Sequence, residues 1–165
     1  MVLPAIIKRR AVREFKSDPV SDKDIEEIIK AAQFAPTAYN NRSTQFIIVK
    51  DSETKTKIFE IVGQEFLRFA PVIIIPVVDL KKTGLPIQDL SVATENIFLQ
   101  AAELGLGTVW KNVDNGEQTE KIRELLNIPK QFEMINLIPL GYPKSPSSPH
   151  TDEMYDQNKI HQEKW

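Results

Sequence analysis

Lys8-Arg9-Arg10-Ala11-Val12-Arg13-Glu14-Phe15 puts four cations into eight residues of a 165-residue chain whose formal net charge is only −2. A helix starting near Leu3 would turn Ile6 and Ile7 inward and leave the arginines at its C-terminal end and in the following turn. Guanidinium groups there are planar, always charged, and able to grip a phosphate by bidentate hydrogen bonds. A solvated basic helix end, favoured by the helix macrodipole, is the commoner explanation of such a cluster when it stands alone. The weight of the phosphate reading therefore depends on what else the chain carries.

A second segment, Ala35-Pro36-Thr37-Ala38-Tyr39-Asn40-Asn41-Arg42-Ser43-Thr44-Gln45-Phe46, follows an amphipathic helical pattern and precedes the apolar run Ile47-Ile48-Val49. Proline and small polar residues stop the helix and expose backbone amides in a loop. Such a loop can approach a flat, polar heterocycle and hydrogen-bond its edge. Ordinary helix-to-strand connections take only about 2–6 residues, so this one is long.

Composition removes several classes of function. There is no cysteine, hence no disulfide framework, thiolate metal site or cysteine nucleophile. His150 and His161 are the only histidines and both lie near the C-terminus, which leaves little material for a zinc or Ser-His-Asp site. The near-balanced charge and the brevity of the basic cluster argue against nucleic-acid binding. The longest apolar run, Phe69 to Val78, is too short to span a bilayer and carries two prolines, and no signal peptide is visible. A soluble, cytoplasmic protein is expected. The length suits a single domain with a sizeable core, supplied by 41% hydrophobic residues.

Ser21-Asp22-Lys23-Asp24 has the form of a capping box, and Ile25, Ile28, Ile29 and Ala32 recur at helical spacing, which predicts a helix to about Phe34. Thr44 to Lys50 reads as a strand, and Asp51-Ser52 as the cap of a helix through Val62. Val72 to Val78 is apolar on both faces, like a covered central strand, with Pro76 as an irregularity. A helix from Asp89 to Leu104 is apolar around most of its girth and is expected to be buried on more than one side, against the sheet and a partner chain. Thr108–Trp110 and Glu133–Leu140 read as strands, with a helix from Glu117 to Leu126 between them. Beyond Pro143 the chain is Pro/Ser-rich and has no core of its own. Helices followed by strands alternating with helices predict an α/β sandwich of the α+β class. Residues 1–143 form one domain in this reading, and residues 144–165 an extended arm. Tyr155, Ile160 and Trp165 would be costly to leave in water, so the arm is expected to dock.

Read in order, these segments resemble the FMN-dependent nitroreductase family, in particular its short members. Arg9-Arg10-Ala11-Val12-Arg13-Glu14-Phe15 is similar to an Arg-Arg-Ser-x-Arg-x-Phe motif at the end of the family's first helix. Pro36-Thr37-Ala38-Tyr39-Asn40-Asn41-Arg42-Ser43 is similar to its Pro-Ser-x-x-Asn-x-Gln-Pro loop. Gly105-Leu106-Gly107-Thr108-Val109-Trp110 resembles its Gly-Leu-Gly-x-x-Trp, and Leu140-Gly141-Tyr142-Pro143 its late Gly-Tyr-Pro. The ending from Tyr155-Asp156 to Trp165 resembles that of the short members. On its own, Gly105-Leu106-Gly107 is a helix C-cap feeding a strand, not a dinucleotide fingerprint.

The resemblance implies a mostly antiparallel central sheet flanked by helices, a homodimer, and a C-terminal arm reaching the partner subunit. It implies bound FMN reduced by NADH or NADPH and then reoxidised by a small-molecule acceptor such as a nitroaromatic or quinone, in ping-pong order. No side chain is expected to be catalytic, because the flavin carries the chemistry. Arg9, Arg10, Ala11 and Arg13 would face the cofactor from one segment. Pro36, Thr37, Ala38 and Asn40 would reach the FMN of the other subunit, and Val109, Trp110 and Lys111 the strand beside the isoalloxazine. The chain departs from the family pattern at Ala11, often serine; at Arg42-Ser43, in place of Gln-Pro; and at Asn112, often glycine. The tail arginine of the family has no counterpart, and Lys144, His150 or Lys159 could replace it. A flavin-binding carrier or sensor with little turnover is the alternative function, and an adaptor dimer without cofactor a third.

Overall fold

The computed structural model describes residues 1–113 and 116–165. In chain order the helices are α1 (Pro4–Lys8), α2 (Asp22–Gln33), α3 (Ser52–Val62), α4 (Glu65–Phe69), α5 (Pro86–Glu103) and α6 (Glu117–Leu125). The strands are β1 (Thr44–Val49), β2 (Val72–Asp79), β3 (Gly107–Thr108), β4 (Lys111–Asn112), β5 (Phe132–Glu133) and β6 (Asn136–Gly141).

β2 is the centre of the molecule. All eight of its residues are buried, and it pairs antiparallel with β1 on one side and with β6 and β5 on the other. Its side chains alternate between two cores, as the pleat requires. Val72 and Ile74 face a cluster with Ile25 and Ile28 of α2 and Ile97 and Ala101 of α5. Ile73, Ile75 and Val77 face one with Ile58 and Val62 of α3, Leu67 of α4 and Ile122 of α6. The result is helix, sheet, helix in three layers, with the sheet ladders antiparallel throughout. The expected α+β sandwich is therefore what the chain folds into.

Two prolines shape the sheet. Along β2, the three residues from Ile75 to Val77 stand opposite the four residues 134–137, between the pairs Ile74–Ile138 and Val78–Glu133. Pro76 sits in this bulge, where the ladder on that side is already interrupted and a missing N–H is tolerated. The single strand expected over 133–140 is split here into β5 and β6. On the far side of β6, the pairs Gly107–Gly141, Thr108–Leu140, Lys111–Leu137 and Asn112–Asn136 keep one register. β3 and β4 are thus two ends of one strand, and pairing lapses at Val109 and Trp110, opposite Pro139 and Ile138. The strand expected over Thr108–Trp110 is corrected accordingly.

Capping follows the sequence closely. Ser21 accepts the Asp24 N–H at 3.0 Å to start α2, and Asp51 accepts that of Thr54 at 2.7 Å to start α3. Both bonds satisfy N–H groups that the helix itself leaves unpaired. Gly63 closes α3 in the left-handed region, with φ 73°. α4 was not foreseen; at five residues it is too short to show a period. Lys55 of α3 reaches over its C-terminal end and donates to the carbonyls of Ala70 and Pro71, at 2.8 and 3.2 Å. α5 starts three residues earlier than expected, at Pro86. It buries Leu90, Ala93, Ile97, Phe98 and Ala101 but leaves Val92 exposed and Leu99 half-buried.

The N-terminal segment differs from expectation. α1 has no buried residue: Ile6 is exposed and Ile7 only half-buried. What is buried follows it. Val12 and Phe15 pack with Ala70 and Phe66, and Val12 N–H donates to the Thr108 carbonyl at 2.8 Å. The arm beyond Pro143 behaves in two parts. Lys144 N–H donates to the Glu14 carbonyl and His150 N–H to that of Ile7, each at 2.9 Å, so residues 144–150 lie along the chain's own basic segment. Every residue from Thr151 to Trp165 is exposed.

Candidate functional site

The basic segment leaves α1 and runs beside the β3 end of the sheet, with Ala11 bridged to Thr108. This is possible because the strand beneath carries glycine: a Cβ on Gly107 would come within 2.6 Å of the Val12 side chain. Lys8, Arg9 and Arg10 then face an open cavity of about 210 Å³, lined also by Phe98, Leu106, Thr108 and Ser147 among others. Among the described residues no carboxylate lines it. Among the described residues, none of Arg9, Arg10 and Arg13 forms an ion pair.

The arginine heads turn toward the returning tail. Arg10 Nη1 donates to the Ser148 carbonyl at 2.9 Å, and Arg9 Nη2 lies 3.4 Å from His150 Nε2. His150 Nε2 is also 3.1 Å from the Arg9 carbonyl oxygen. Of the three tail residues considered as substitutes for an arginine, His150 is the one brought against the cluster. A cavity of this size falls below the roughly 300 Å³ at which sites for whole drug-sized ligands begin, and its donors are cationic. It fits a phosphate group and its first linkage, and so fits the anionic end of FMN. Arg13 is exposed and does not line the cavity.

The second segment forms a separate structure. Pro36, Thr37, Asn40 and Arg42 line a cavity of about 570 Å³ with Phe34, Gln33 and Thr44. The intervening loop has no glycine, yet Tyr39, Asn40 and Arg42 adopt φ of 53°, 53° and 49°, in the left-handed region. It is held from below. Asp89, in the first turn of α5 and 3% exposed, accepts the Ala38 N–H at 2.8 Å, the Asn41 amide at 3.2 Å and the Thr83 hydroxyl at 2.7 Å. Burial opposes its ionisation, but the bonds from Thr83, Ala38 and Asn41 outweigh that and hold its pKa below the ordinary carboxylate value.

The third group lies on the interrupted strand. Val109 is buried in the core, so only its backbone is available. Trp110 is partly exposed and packs edge-on against Phe98, with ring centroids 6.4 Å apart. Lys111 Nζ donates to the Asn112 carbonyl at 2.6 Å.

One chain therefore gathers Arg9 and Arg10 in one cavity and Pro36, Thr37 and Asn40 in another, with no lining residue in common among the described residues. Asp89, Asn41 and Ser148 join the site without any sequence motif that marks them. A buried aspartate at a helix start reads as a cap, and only the fold shows that it reaches residues 48 to 51 positions earlier.

The sequence profile described as the Nitroreductase family matches residues 6–71 and 62–142. A relative from Archaeoglobus fulgidus, provisionally named as a NADH dehydrogenase/NAD(P)H nitroreductase, is 39% identical over 99% of this chain and 98% of its own. The FMN reductase [NAD(P)H] of Bacillus subtilis is 28% identical over 89% of this chain and 68% of its own. Among solved structures, the FMN-dependent nitroreductase of Clostridium difficile R20291 superimposes with a TM-score of 0.91 at 32% identity, covering 98% of each chain. The profile covers residues 6–142, the relative and the structure nearly the whole chain, and the chain belongs to the nitroreductase family.

Proposed function

We propose that the protein is an FMN-dependent NAD(P)H oxidoreductase that acts on nitroaromatic, quinone or similar electron-poor acceptors. The observation that carries this reading is the carboxylate-free cavity faced by Lys8, Arg9 and Arg10, on a chain similar throughout to FMN-dependent nitroreductases. When bound, FMN would supply the redox chemistry, hydride transfer between NAD(P)H and the acceptor in ping-pong order.

The chain supplies position and charge. Arg9 and Arg10 hold the phosphate, with charge-assisted bonds that neither arginine now gives to a carboxylate. His150 braces Arg9 from the tail side, with Nε2 3.4 Å from Arg9 Nη2 and 3.1 Å from its carbonyl oxygen. Backbone groups of Ala11 and of the Val109–Lys111 strand flank the cofactor, and the Lys111 ammonium stabilises negative charge that develops on it during reduction. Pro36, Thr37, Ala38 and Asn40 complete the site from the other subunit, which accounts for a single chain keeping the two sets in separate cavities. Residues 1–143 are the FMN-binding domain in this reading. The arm of residues 144–165 first straps the basic segment and then, from Thr151, crosses to the partner.

Among the described residues no helix is long and apolar enough to cross a membrane. A cytoplasmic setting, where NAD(P)H is available, fits the reading.

The test is the visible spectrum of the purified, FMN-reconstituted protein. NAD(P)H should bleach it anaerobically, and a quinone should restore it. Bleaching without reoxidation by any acceptor would favour a carrier or sensor. Absence of flavin uptake at micromolar FMN would refute the assignment.

A further inference from the structure

We infer that Asp89 is a positioning residue for the Thr37–Arg42 loop, and that its carboxylate sets the affinity for the flavin which that loop serves. The inference rests on the reading of the loop as a cofactor-binding segment.

Three of the six residues from Thr37 to Arg42 adopt left-handed backbone, and none is glycine. Such residues persist only where the surroundings over-determine them. The restraints here converge on one carboxylate. Asp89 Oδ1 takes the Ala38 N–H, and Oδ2 takes both the Asn41 amide and the Thr83 hydroxyl. Asn41 passes the constraint along the loop, donating to the Ala38 carbonyl at 2.7 Å and accepting the Ser43 N–H at 2.8 Å. Thr37 Oγ1 accepts the Arg42 N–H at 3.1 Å. These bonds all turn inward. On the outer side, Asn40 is exposed and its Oδ1 accepts the Arg42 Nε–H at 3.1 Å, and Tyr39 is fully exposed. The loop thus spends its inner donors on Asp89 and presents Tyr39 and Asn40 at its outer face.

Three donors on two carboxylate oxygens leave no place for a donor at residue 89. Asparagine there has the same shape but turns one acceptor into an NH2 group facing the incoming donors, so the loop must re-form. Alanine at Asn41 cuts the link from the other side, on a loop whose loss cannot unfold the core.

The experiment compares the full-length wild type, Asp89→Asn, Asn41→Ala and the double variant. The FMN dissociation constant is read by flavin fluorescence, kcat and KM by anaerobic kinetics, and loop order by the rate of tryptic cleavage after Arg42 without FMN. Asp89→Asn should weaken FMN by roughly ten- to a hundredfold, the range for a bond to a charged group, and Asn41→Ala by a smaller factor. The double variant should lose less than the sum of the two single losses, because the Asn41–Asp89 bond is common to both. Cleavage after Arg42 should accelerate in both single variants while the FMN-free melting temperature of Asn41→Ala stays at the wild-type value. Wild-type FMN affinity in Asn41→Ala, or independent, additive losses in the double variant, would overturn the inference even if Asp89→Asn fails to fold. Wild-type protein that takes up no FMN while cleavage still accelerates would refute the cofactor assignment and not the control of the loop by Asp89.

Discussion

Val12 lies on Gly107: the side chain of one occupies the space where the other would carry a Cβ, at 2.6 Å from the nearest methyl. This contact seats the basic segment on the sheet, because Val12 also donates its N–H to Thr108 and is flanked by the arginines. Gly107→Ala should therefore act twice. Overpacking of this kind costs about 1–3 kcal/mol, which lowers the melting temperature by roughly 2–4 °C per kcal/mol at this chain length. FMN affinity should fall with it, since the segment must lift. A variant that melts and binds FMN like the wild type would separate the glycine from the site.

The arginines are predicted to be unequal. Arg9 and Arg10 line the carboxylate-free cavity, whereas Arg13 is exposed outside it. Arg9→Ala and Arg10→Ala should each weaken FMN binding by about 1.5–3 kcal/mol, as charge-assisted bonds do. Arg13→Ala should have the smaller effect. Titration of flavin fluorescence ranks the three, and a dominant effect at Arg13 would move the phosphate out of this cavity.

Asp89 makes stability depend on pH in a defined direction. Its folded-state pKa lies below the ordinary 3.8 despite burial, because three donors favour the charged form. A carboxylate depressed on folding contributes stability that is complete above its unfolded value and is lost as the pH falls through the folded one. Acid should thus loosen the Thr37–Arg42 loop below pH 3.8. In Asp89→Asn this part of the acid limb should vanish, so its loop cleavage rate should vary less with pH than that of the wild type. An acid-stable pepsin, cleaving near Phe34, provides the readout.

The architecture was legible where local pattern and tertiary role coincide. The run Val72–Val78 declares a strand covered on both faces, and β2 is buried along its whole length. Ser21 and Asp51 declare helix starts because a cap acts within three residues. The interruption at Val109–Trp110 was not legible, because its cause, Pro139, sits on the opposite strand about 30 positions away in sequence. Pro76 is likewise explained only by the extra residue that its partner strand inserts. The site followed the same division. Both cavities lie in segments that the sequence motifs singled out, but Asp89 emerges only when α5 is laid under the loop. Ile6 is exposed: apolar character at helical spacing says that a face wants cover, not that this chain provides it.

The last prediction concerns that missing cover. Met154, Tyr155, Ile160 and Trp165 are all exposed in the single chain, as are Ile6, Ile87 and Val92. So much large apolar surface on the arm, α1 and α5 exceeds what scattered exposure on a monomer explains. A two-fold dimer would cover it, with each arm laid on the other chain. The strap of residues 144–150 is tied to its own chain by the Lys144–Glu14 and His150–Ile7 bonds, so the two halves of the arm can be tested apart. Truncation after His150 should leave the strap over Arg9 and Arg10 and remove the crossing part. It should weaken the dimer at low micromolar concentration in sedimentation, and lose FMN in proportion, because the Thr37–Asn40 loop of the partner is then absent. Truncation after Tyr142 should lose FMN further, since Arg9 and Arg10 are no longer braced by His150 and Ser148. A chain ending at His150 that sediments as a dimer would assign dimerisation to the helical face instead of the arm. A monomer that keeps its FMN would refute the shared site itself.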